Sequence, residues 1–168
     1  TTESRGVSVV EWWYDPAAPP DGLPVTGTVL AQQLFPTRAY GMATVLGDDG
    51  WLYAYSCEGP PGGGMPADYG PCRVARVLPE FAADPGSYTY RSGGGWSSDP
   101  GDATAMVMPA PPSGQTMPVA SLTVARDDAH GVWVMAYSPW PGYTDRVTIR
   151  VATSPVGPWT APIEIQLP

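Results

Sequence analysis

The chain has 168 residues, 43% of them hydrophobic and 11% aromatic, which is enough to bury one core and excludes an intrinsically disordered segment. Glycine (20) and proline (22) make up a quarter of the chain, which predicts a turn-rich all-β domain. Nucleic acid is not an expected partner, because phosphate binding needs clustered positive charge and the net charge here is −8. No apolar run is long enough to cross a membrane, so no membrane partner is expected either.

Alternating apolar residues bounded by glycine, proline and aspartate predict a succession of strands. In chain order they span residues 6–15, 25–35, 38–46, 51–57, 72–78, 87–92, 119–125, 132–138, 146–153 and 159–167. The turn Asp48-Asp49-Gly50 joins the third and fourth strands into a hairpin, since Asp-Gly is favoured where turn residues need positive φ.

This hairpin, residues 41–57, has a second copy at residues 119–138. Both copies contain a β-branched strand, an Asp-Asp turn and a strand that carries Trp near its start and Ala-Tyr-Ser near its end. Corresponding residues of the two Trp-containing strands are 82 positions apart; the pairs are Trp51 and Trp133, Ala54 and Ala136, Tyr55 and Tyr137, and Ser56 and Ser138. A fixed spacing between units of four antiparallel strands is typical of β-propeller blades.

The sequence therefore predicts an all-β, propeller-type domain with about two and a half blades of four antiparallel strands. Residues 1–36 are interpreted as the end of an earlier blade, 37–100 as the first full blade, 101–118 as a connection and 119–168 as the second full blade. Three arrangements fit: part of a longer chain, a ring completed by another chain, or a shortened ring or assembly of several copies. An incomplete ring would expose the apolar faces of its terminal blades.

Cys57 and Cys72, the only cysteines, flank a loop rich in glycine and proline. A disulfide is the favoured interpretation, because two cysteines make a poor zinc site without further ligands and the lone His130 is distant in sequence. A disulfide in turn predicts a secreted, extracellular protein whose signal peptide has been removed. No metal or other cofactor is expected.

Several of these segments resemble the C-terminal part of five-bladed glycosidase-type propellers. The similar pieces are residues 49–53 (DGWLY), 74–77 (VARV), 150–152 (RVA) and 154–159 (SPVGPW), within a region of roughly 40–165. The chain is most similar to a bacterial group that includes endo-acting D-arabinanases. These pieces are turns, corner prolines and inter-blade aromatics, so they are more specific for the fold than for an activity.

The resemblance implies a carbohydrate-directed protein, and two functions follow from it. The first is the C-terminal portion of a glycoside hydrolase that acts on an arabinan-like polysaccharide. The second is a non-catalytic module that binds glycans or builds an extracellular assembly. In the resembled enzymes the catalytic carboxylates lie in the central funnel and come largely from N-terminal blades that have no counterpart in this sequence, which favours the second function for the chain taken alone.

A glycosidase needs two carboxyl groups about 5 to 9.5 Å apart. The candidates are Glu11, Asp15 and Glu58, each among aromatics or where a strand meets a loop, although a solvated loop carboxylate is the commoner role for such residues. The paired aspartates at 48–49 and 127–128 have a clearer role as turn residues, whose side chains accept backbone hydrogen bonds.

Arg38 and Tyr40 precede the innermost strand of the first full blade, a position that faces the funnel in propellers. They are candidates to hold sugar hydroxyls or a carboxylate, whereas the alternative for Arg38 is an ion pair with an acidic loop. Trp12 and Trp13 are candidates to stack on sugar rings, whereas packing between blades is the alternative. Trp51, Trp133 and Trp159 are expected to pack between blades.

Overall fold

The computed structural model describes residues 7–12, 17, 27–35, 38–57, 72–110, 119–139 and 145–168. Within these ranges the chain is all-β, as the sequence predicts, with antiparallel sheets of two, five and four strands and three short 3₁₀ turns. No helix in these ranges has the length and apolar character needed to cross a membrane.

Each sheet follows the chain without a crossover, so each is an antiparallel meander. The two-stranded sheet contains β1 (Val9–Glu11) and β2 (Thr28–Ala31). The five-stranded sheet contains β3 (Ala43–Leu46), β4 (Leu52–Ser56), β5 (Arg73–Val77), β6 (Thr89–Ser92) and β7 (Gly95–Ser97). The four-stranded sheet contains β8 (Val119–Asp127), β9 (Val132–Pro139), β10 (Arg146–Ala152) and β11 (Ile163–Gln166).

The strand β7 is the main departure from the sequence prediction, which ended the last strand of the first full blade at the run of three glycines. Gly93 and Gly94 instead form a two-residue turn, and Ser92 pairs with Gly95 across it. Gly95, directly after the turn, has a φ of 152°, a conformation that favours glycine because it has no Cβ. The first blade therefore has five strands, whereas the second has the four that were predicted.

The first core cluster lies between the five-stranded and four-stranded sheets. Tyr55 and Met135 are fully buried in it, and Trp133 is 2% exposed. The Tyr55 hydroxyl donates a hydrogen bond of 2.6 Å to the Pro155 carbonyl, which links β4 to the loop after β10. The two sheets therefore pack face to face, with Trp133 and Trp159 buried in the interface and Trp51 partly buried against it, as predicted.

The second core cluster covers the opposite face of the five-stranded sheet. Ala54 and Ala75, from β4 and β5, lie under Phe35 and Tyr40 of the segment that joins β2 to β3. Val9 of β1 packs against the same cluster. Because side chains alternate between the faces of a strand, β4 and β5 contribute to both clusters and are the most deeply buried strands.

The residues that the structure describes cover the two faces of the four-stranded sheet to different extents. Ile149 pairs with Ala136 and with Ile163, and Val147 pairs with Ile165, so these side chains share the face turned away from the first core cluster. Ile163 is 57% and Ile165 41% exposed. We call this surface the open face; its members are Val132, Val134, Ala136, Val147, Ile149, Val151, Ile163 and Ile165.

The segment from residue 103 to residue 109 connects the sheets without forming a strand. The Thr104 N–H donates to the Arg91 carbonyl at 2.8 Å, and the Met106 N–H donates to the Cys72 carbonyl at 2.8 Å. The Trp159 N–H donates to the Val107 carbonyl at 3.1 Å. This part of the predicted connection thus runs along the five-stranded sheet. It also accepts a hydrogen bond from the loop between β10 and β11 of the four-stranded sheet.

Candidate functional site

The paired aspartates act as turn residues, as their position predicts. Asp49 accepts a hydrogen bond from the Trp51 N–H at 3.3 Å and another from the Tyr53 hydroxyl at 2.7 Å. Asp127 likewise accepts from the His130 N–H at 3.3 Å. Asp49 and Asp127 therefore stabilise the two repeated hairpins. Among the residues whose placement is described, no group of three His, Cys, Asp or Glu side chains could hold a metal ion.

The sequence analysis missed an arginine that occupies the same place in the third strand of each blade. Arg76 of β5 pairs with Tyr53 of β4, and Arg150 of β10 pairs with Met135 of β9. Because Tyr53 and Met135 are 82 residues apart, the two arginines occupy equivalent places in the two blades. The Arg76 guanidinium lies 4.3 Å from the Trp51 ring and 4.1 Å from the Trp96 ring. Such cation–π contacts stabilise the blade framework, which gives Arg76 a structural role.

Arg150 occupies the equivalent place in the second blade but has different partners. It is 4% exposed, and its guanidinium donates to the Tyr137 hydroxyl at 3.1 Å and to the carbonyls of Pro109 and Thr160 at 2.8 and 2.7 Å. A buried guanidinium needs such acceptors, because an unpaired buried charge is costly. Arg150 therefore fixes the loops around β10 and is not a binding group.

A cleft of about 420 Å³, partly open to solvent, lies at one end of the five-stranded sheet. Arg38 and Tyr40 precede β3, and Arg73 begins β5. Since β3 and β5 both run antiparallel to β4, their first residues lie at the same end of the sheet. The turn after β7 supplies the remaining wall, from Asp99 to Ala103. The cleft volume lies within the range of small-molecule sites, about 300 to 1,000 Å³.

Tyr40 is the most buried side chain of this cleft, with 2% of its surface exposed. Its ring packs against Phe35 and Tyr90, at centroid distances of 5.2 and 5.4 Å. Its hydroxyl has no hydrogen-bond partner in the described part of the chain, which is unusual for a buried hydroxyl. Burial raises the pKa of Tyr40 to about 12, against the opposing charges of Arg38 and Arg73, so the group is a protonated donor at neutral pH.

Hydrogen bonds that involve nearby backbone groups fix the positions of Arg73 and Asp99. The Arg73 Nε–H donates to the Ala103 carbonyl at 3.1 Å. The Asp99 carboxylate accepts from the Gly101 N–H at 2.7 Å, and its backbone N–H donates to the Ser97 hydroxyl at 3.0 Å. The cleft therefore combines two guanidinium groups, one phenolic hydroxyl and one carboxylate, a set suited to binding a ligand that carries hydroxyl and anionic groups.

The structure brings Arg38 and Tyr40 together in the cleft, while their role in binding sugar stays a prediction. Glu11 is exposed at the end of β1, and Trp12 follows it with 63% exposure; neither lines the cleft. The remaining proposed site residues, Trp13, Asp15 and Glu58, lie outside the described residues.

The predicted disulfide between Cys57 and Cys72 is confirmed. Ser56 pairs with Arg73 in the β4–β5 ladder, so the disulfide closes the ladder at the end of the sheet where the cleft lies. The Ser56 hydroxyl is fully buried and, like that of Tyr40, has no hydrogen-bond partner among the residues the structure describes.

Sequence reasoning missed Arg73 and Asp99 as members of the site. The signal for Arg73 was available, because a meander of three strands places the starts of the first and third strands at the same end. The signal for Asp99 was weaker, since Asp-Pro-Gly is an ordinary turn sequence and its return toward β5 depends on the unpredicted strand β7.

The comparisons with known proteins agree with this architecture. Residues 13–166 match a family described as a domain of unknown function, DUF4185, which is broadly β-propeller-like. A search of curated proteins found no match. The family match covers more than half of the chain, and the chain therefore belongs to the DUF4185 family.

Proposed function

We propose that the chain is a carbohydrate-directed, secreted propeller portion whose cleft binds an arabinan-like, furanose-rich polysaccharide. The observation that carries the proposal is the cleft itself, which assembles Arg38, Tyr40 and Arg73 beside Asp99. Sugars are recognised by several hydrogen-bonding groups of this kind arranged around an aromatic wall. In this proposal the chain contributes the C-terminal portion of a glycoside hydrolase of the endo-D-arabinanase type.

Two further features support this proposal. The indole of Trp12 is 63% exposed, and an exposed indole offers an apolar face on which a sugar ring can stack. The Cys57–Cys72 disulfide is of the kind that persists in oxidising compartments, which supports secretion.

The cleft as described favours binding over hydrolysis for the chain alone. Asp99 is its one acidic lining residue among the described positions, whereas glycoside hydrolysis requires two carboxyl groups. The catalytic candidates Glu11, Asp15 and Glu58 remain a prediction that activity measurements test directly.

The test is titration calorimetry of the purified chain with linear arabino-oligosaccharides, together with an assay for reducing sugar released from arabinan. We expect binding that the Tyr40→Phe substitution weakens, while Tyr88→Phe leaves it unchanged. Tyr88 is the matched control because its hydroxyl already donates to the Ala82 carbonyl at 2.8 Å. Absence of binding to any neutral or acidic saccharide would contradict the proposal. Release of sugar that stops in Glu11→Gln or Glu58→Gln would show an active enzyme.

The open face favours a second candidate function, an assembly module. The open face consists of eight apolar residues, a composition typical of a face that another blade covers. In the five-stranded sheet, by comparison, both faces contribute to buried core clusters. We propose that a blade from a second copy of the chain occupies it. Sedimentation velocity should then show concentration-dependent association that Ile163→Asp abolishes, with Ala129→Asp, at an exposed position of the β8–β9 turn, as the control for added charge. A monomer at all concentrations would refute this second function.

A further inference from the structure

Residues 103–109 contact the wall of the cleft at one end and the second blade at the other, and we call this segment the strap. It begins with Ala103, which lines the cleft and whose carbonyl accepts a hydrogen bond of 3.1 Å from the Arg73 Nε–H. The Ala103 N–H donates to the Pro100 carbonyl at 3.3 Å, within the turn that forms the neighbouring wall. The strap is therefore continuous with the wall of the cleft.

The first half of the strap is attached to the five-stranded sheet. The Thr104 N–H donates to the carbonyl of Arg91 in β6, and the Met106 N–H donates to the carbonyl of Cys72 directly before β5, both at 2.8 Å. The Met106 side chain is 6% exposed and belongs to the first core cluster. This half therefore has two backbone hydrogen bonds and one buried side chain as anchors.

The second half of the strap is attached to the second blade through its carbonyl groups. The Val107 carbonyl accepts from the Trp159 N–H at 3.1 Å, and the Pro109 carbonyl accepts from the Arg150 guanidinium at 2.8 Å. Trp159 is 2% and Arg150 4% exposed, so both donors belong to the interior of that blade. One short segment thus links the cleft wall to the interior of the neighbouring blade.

The strap is held less continuously than the strands on either side of it. Residues 103–109 form no strand, and Val107 in its middle is 64% exposed. A segment that is attached by separated hydrogen bonds and has few buried contacts opens at a lower free energy than a strand within a ladder. Loss of the central anchor at Met106 would release both halves together.

We propose that the strap couples the cleft to the second blade. Its hydrogen bonds to both open as one unit, and a ligand held in the cleft also stabilises the bonds that the strap makes to Trp159 and Arg150. This inference rests on the carbohydrate-directed function proposed above only for the identity of that ligand.

The coupling follows from the position of Ala103. A ligand that fills the cleft lies against Ala103 and the adjoining turn, and it binds less well when the strap has moved away. Ligand therefore shifts the population toward the closed strap by its difference in affinity for the two states. Because such coupling is reciprocal, a partner that alters the packing of the second blade changes the affinity of the cleft by the same factor.

The experiment measures amide hydrogen exchange residue by residue with NMR spectroscopy. The amides of Thr104, Met106 and Trp159 all donate into or out of the strap, so we expect similar protection for the three. The Thr160 amide is the matched control, because it follows Trp159 directly but donates to the Val151 carbonyl at 2.9 Å within the second blade. Its exchange should be independent of strap opening.

Two variants perturb the strap from different places. Arg73→Met removes the donor to the Ala103 carbonyl and should speed exchange of the three strap amides about fivefold, including that of the distant Trp159. Met106→Ala removes the central anchor and should speed the same three amides, which keeps the test open if Arg73→Met does not fold. Tyr88→Phe is the control, since it also removes one side-chain donor to a backbone carbonyl, that of Ala82, but away from the strap.

Three results with the variants would overturn the inference. The first is faster exchange at Thr104 without any change at Trp159, because the strap would then not open as a unit. The second is equal acceleration of the Thr160 amide, which would show a loss of global stability. The third is the same pattern of change in Tyr88→Phe as in Arg73→Met.

A ligand arm separates this inference from the function on which it rests. With a saturating linear arabino-oligosaccharide, exchange of the Trp159 amide should slow several-fold while that of Thr160 stays the same. Calorimetric binding without any effect on Trp159 would overturn the coupling and leave the carbohydrate-directed function standing. If no saccharide binds, that function is refuted, whereas joint acceleration of the strap amides in Arg73→Met and Met106→Ala would still support the strap as a single opening unit.

Discussion

Removing single tyrosine hydroxyls should have opposite effects on stability at two buried positions. The Tyr55 hydroxyl donates to the Pro155 carbonyl at 2.6 Å, so Tyr55→Phe leaves a carbonyl without its partner between the two sheets. This should lower the free energy of unfolding by about 1 to 2 kcal/mol. The Tyr40 hydroxyl is buried without a partner, so Tyr40→Phe removes a desolvated polar group and should change stability by between zero and about 1 kcal/mol in the stabilising direction.

The measurement is urea unfolding of both variants and of the original chain, followed by tryptophan fluorescence with the oxidised protein. For a chain of this length, 1 kcal/mol corresponds to roughly 2 to 4 °C in the melting temperature, so a thermal scan gives an independent check. The slope of the free energy against urea concentration should be the same in all three proteins. Equal destabilisation by Tyr40→Phe and Tyr55→Phe would refute the reasoning, because it would show that the Tyr40 hydroxyl has a partner that stabilises the fold.

Three other predictions concern the core, the disulfide and the pH dependence of stability. Trp133→Ala should cost about 3 to 5 kcal/mol in urea unfolding, whereas Trp12→Ala at an exposed position should be near neutral, and similar costs would contradict the assigned burial. Reduction of the disulfide, whose cysteines are 15 residues apart, should cost about 3 kcal/mol, and an unchanged urea midpoint in reductant would contradict this. Hydrogen bonds from the Ser87 hydroxyl and the Gly86 N–H lower the pKa of Asp84. Because the pKa is lower in the folded state, the stabilisation is present above the unfolded value of about 3.9 and is lost as the pH falls through the lowered value. Asp84→Asn should therefore unfold at lower urea than the original chain at pH 7, and the difference should shrink in acid; a constant difference would refute the linkage.

The sequence predicted those elements whose local signals and long-range packing agree. The Asp-Asp turns, the alternating strands and the repeated Trp133 all follow from short-range patterns, and the disulfide follows from the presence of two cysteines that flank one loop. The same patterns failed at Gly93-Gly94, where a glycine run is equally compatible with the end of a strand and with a tight turn.

The candidate site was predictable only in part, for a physical reason. Arg38 and Tyr40 could be proposed from their place before an innermost strand, because that place depends on the blade alone. Arg73 and Asp99 reach the same cleft only because of the length of β5, the β6–β7 hairpin and the path of residues 98–103 back toward β5. No local sequence pattern determines these features. The cation–π position of Arg76 was missed for a related reason, since its spacing from Arg150 differs from the 82-residue repeat.

Because β4 and β5 contribute side chains to both core clusters, their amide protons should exchange with solvent more slowly than those of any other described strand. Arg73 would then be carried by a strand that opens only with the whole domain, whereas Arg38 lies on a loop that can open locally. Exchange monitored by mass spectrometry would show this difference as two kinetic classes of peptides at the cleft. One wall of the cleft would keep its shape, and the other could adjust as a ligand enters.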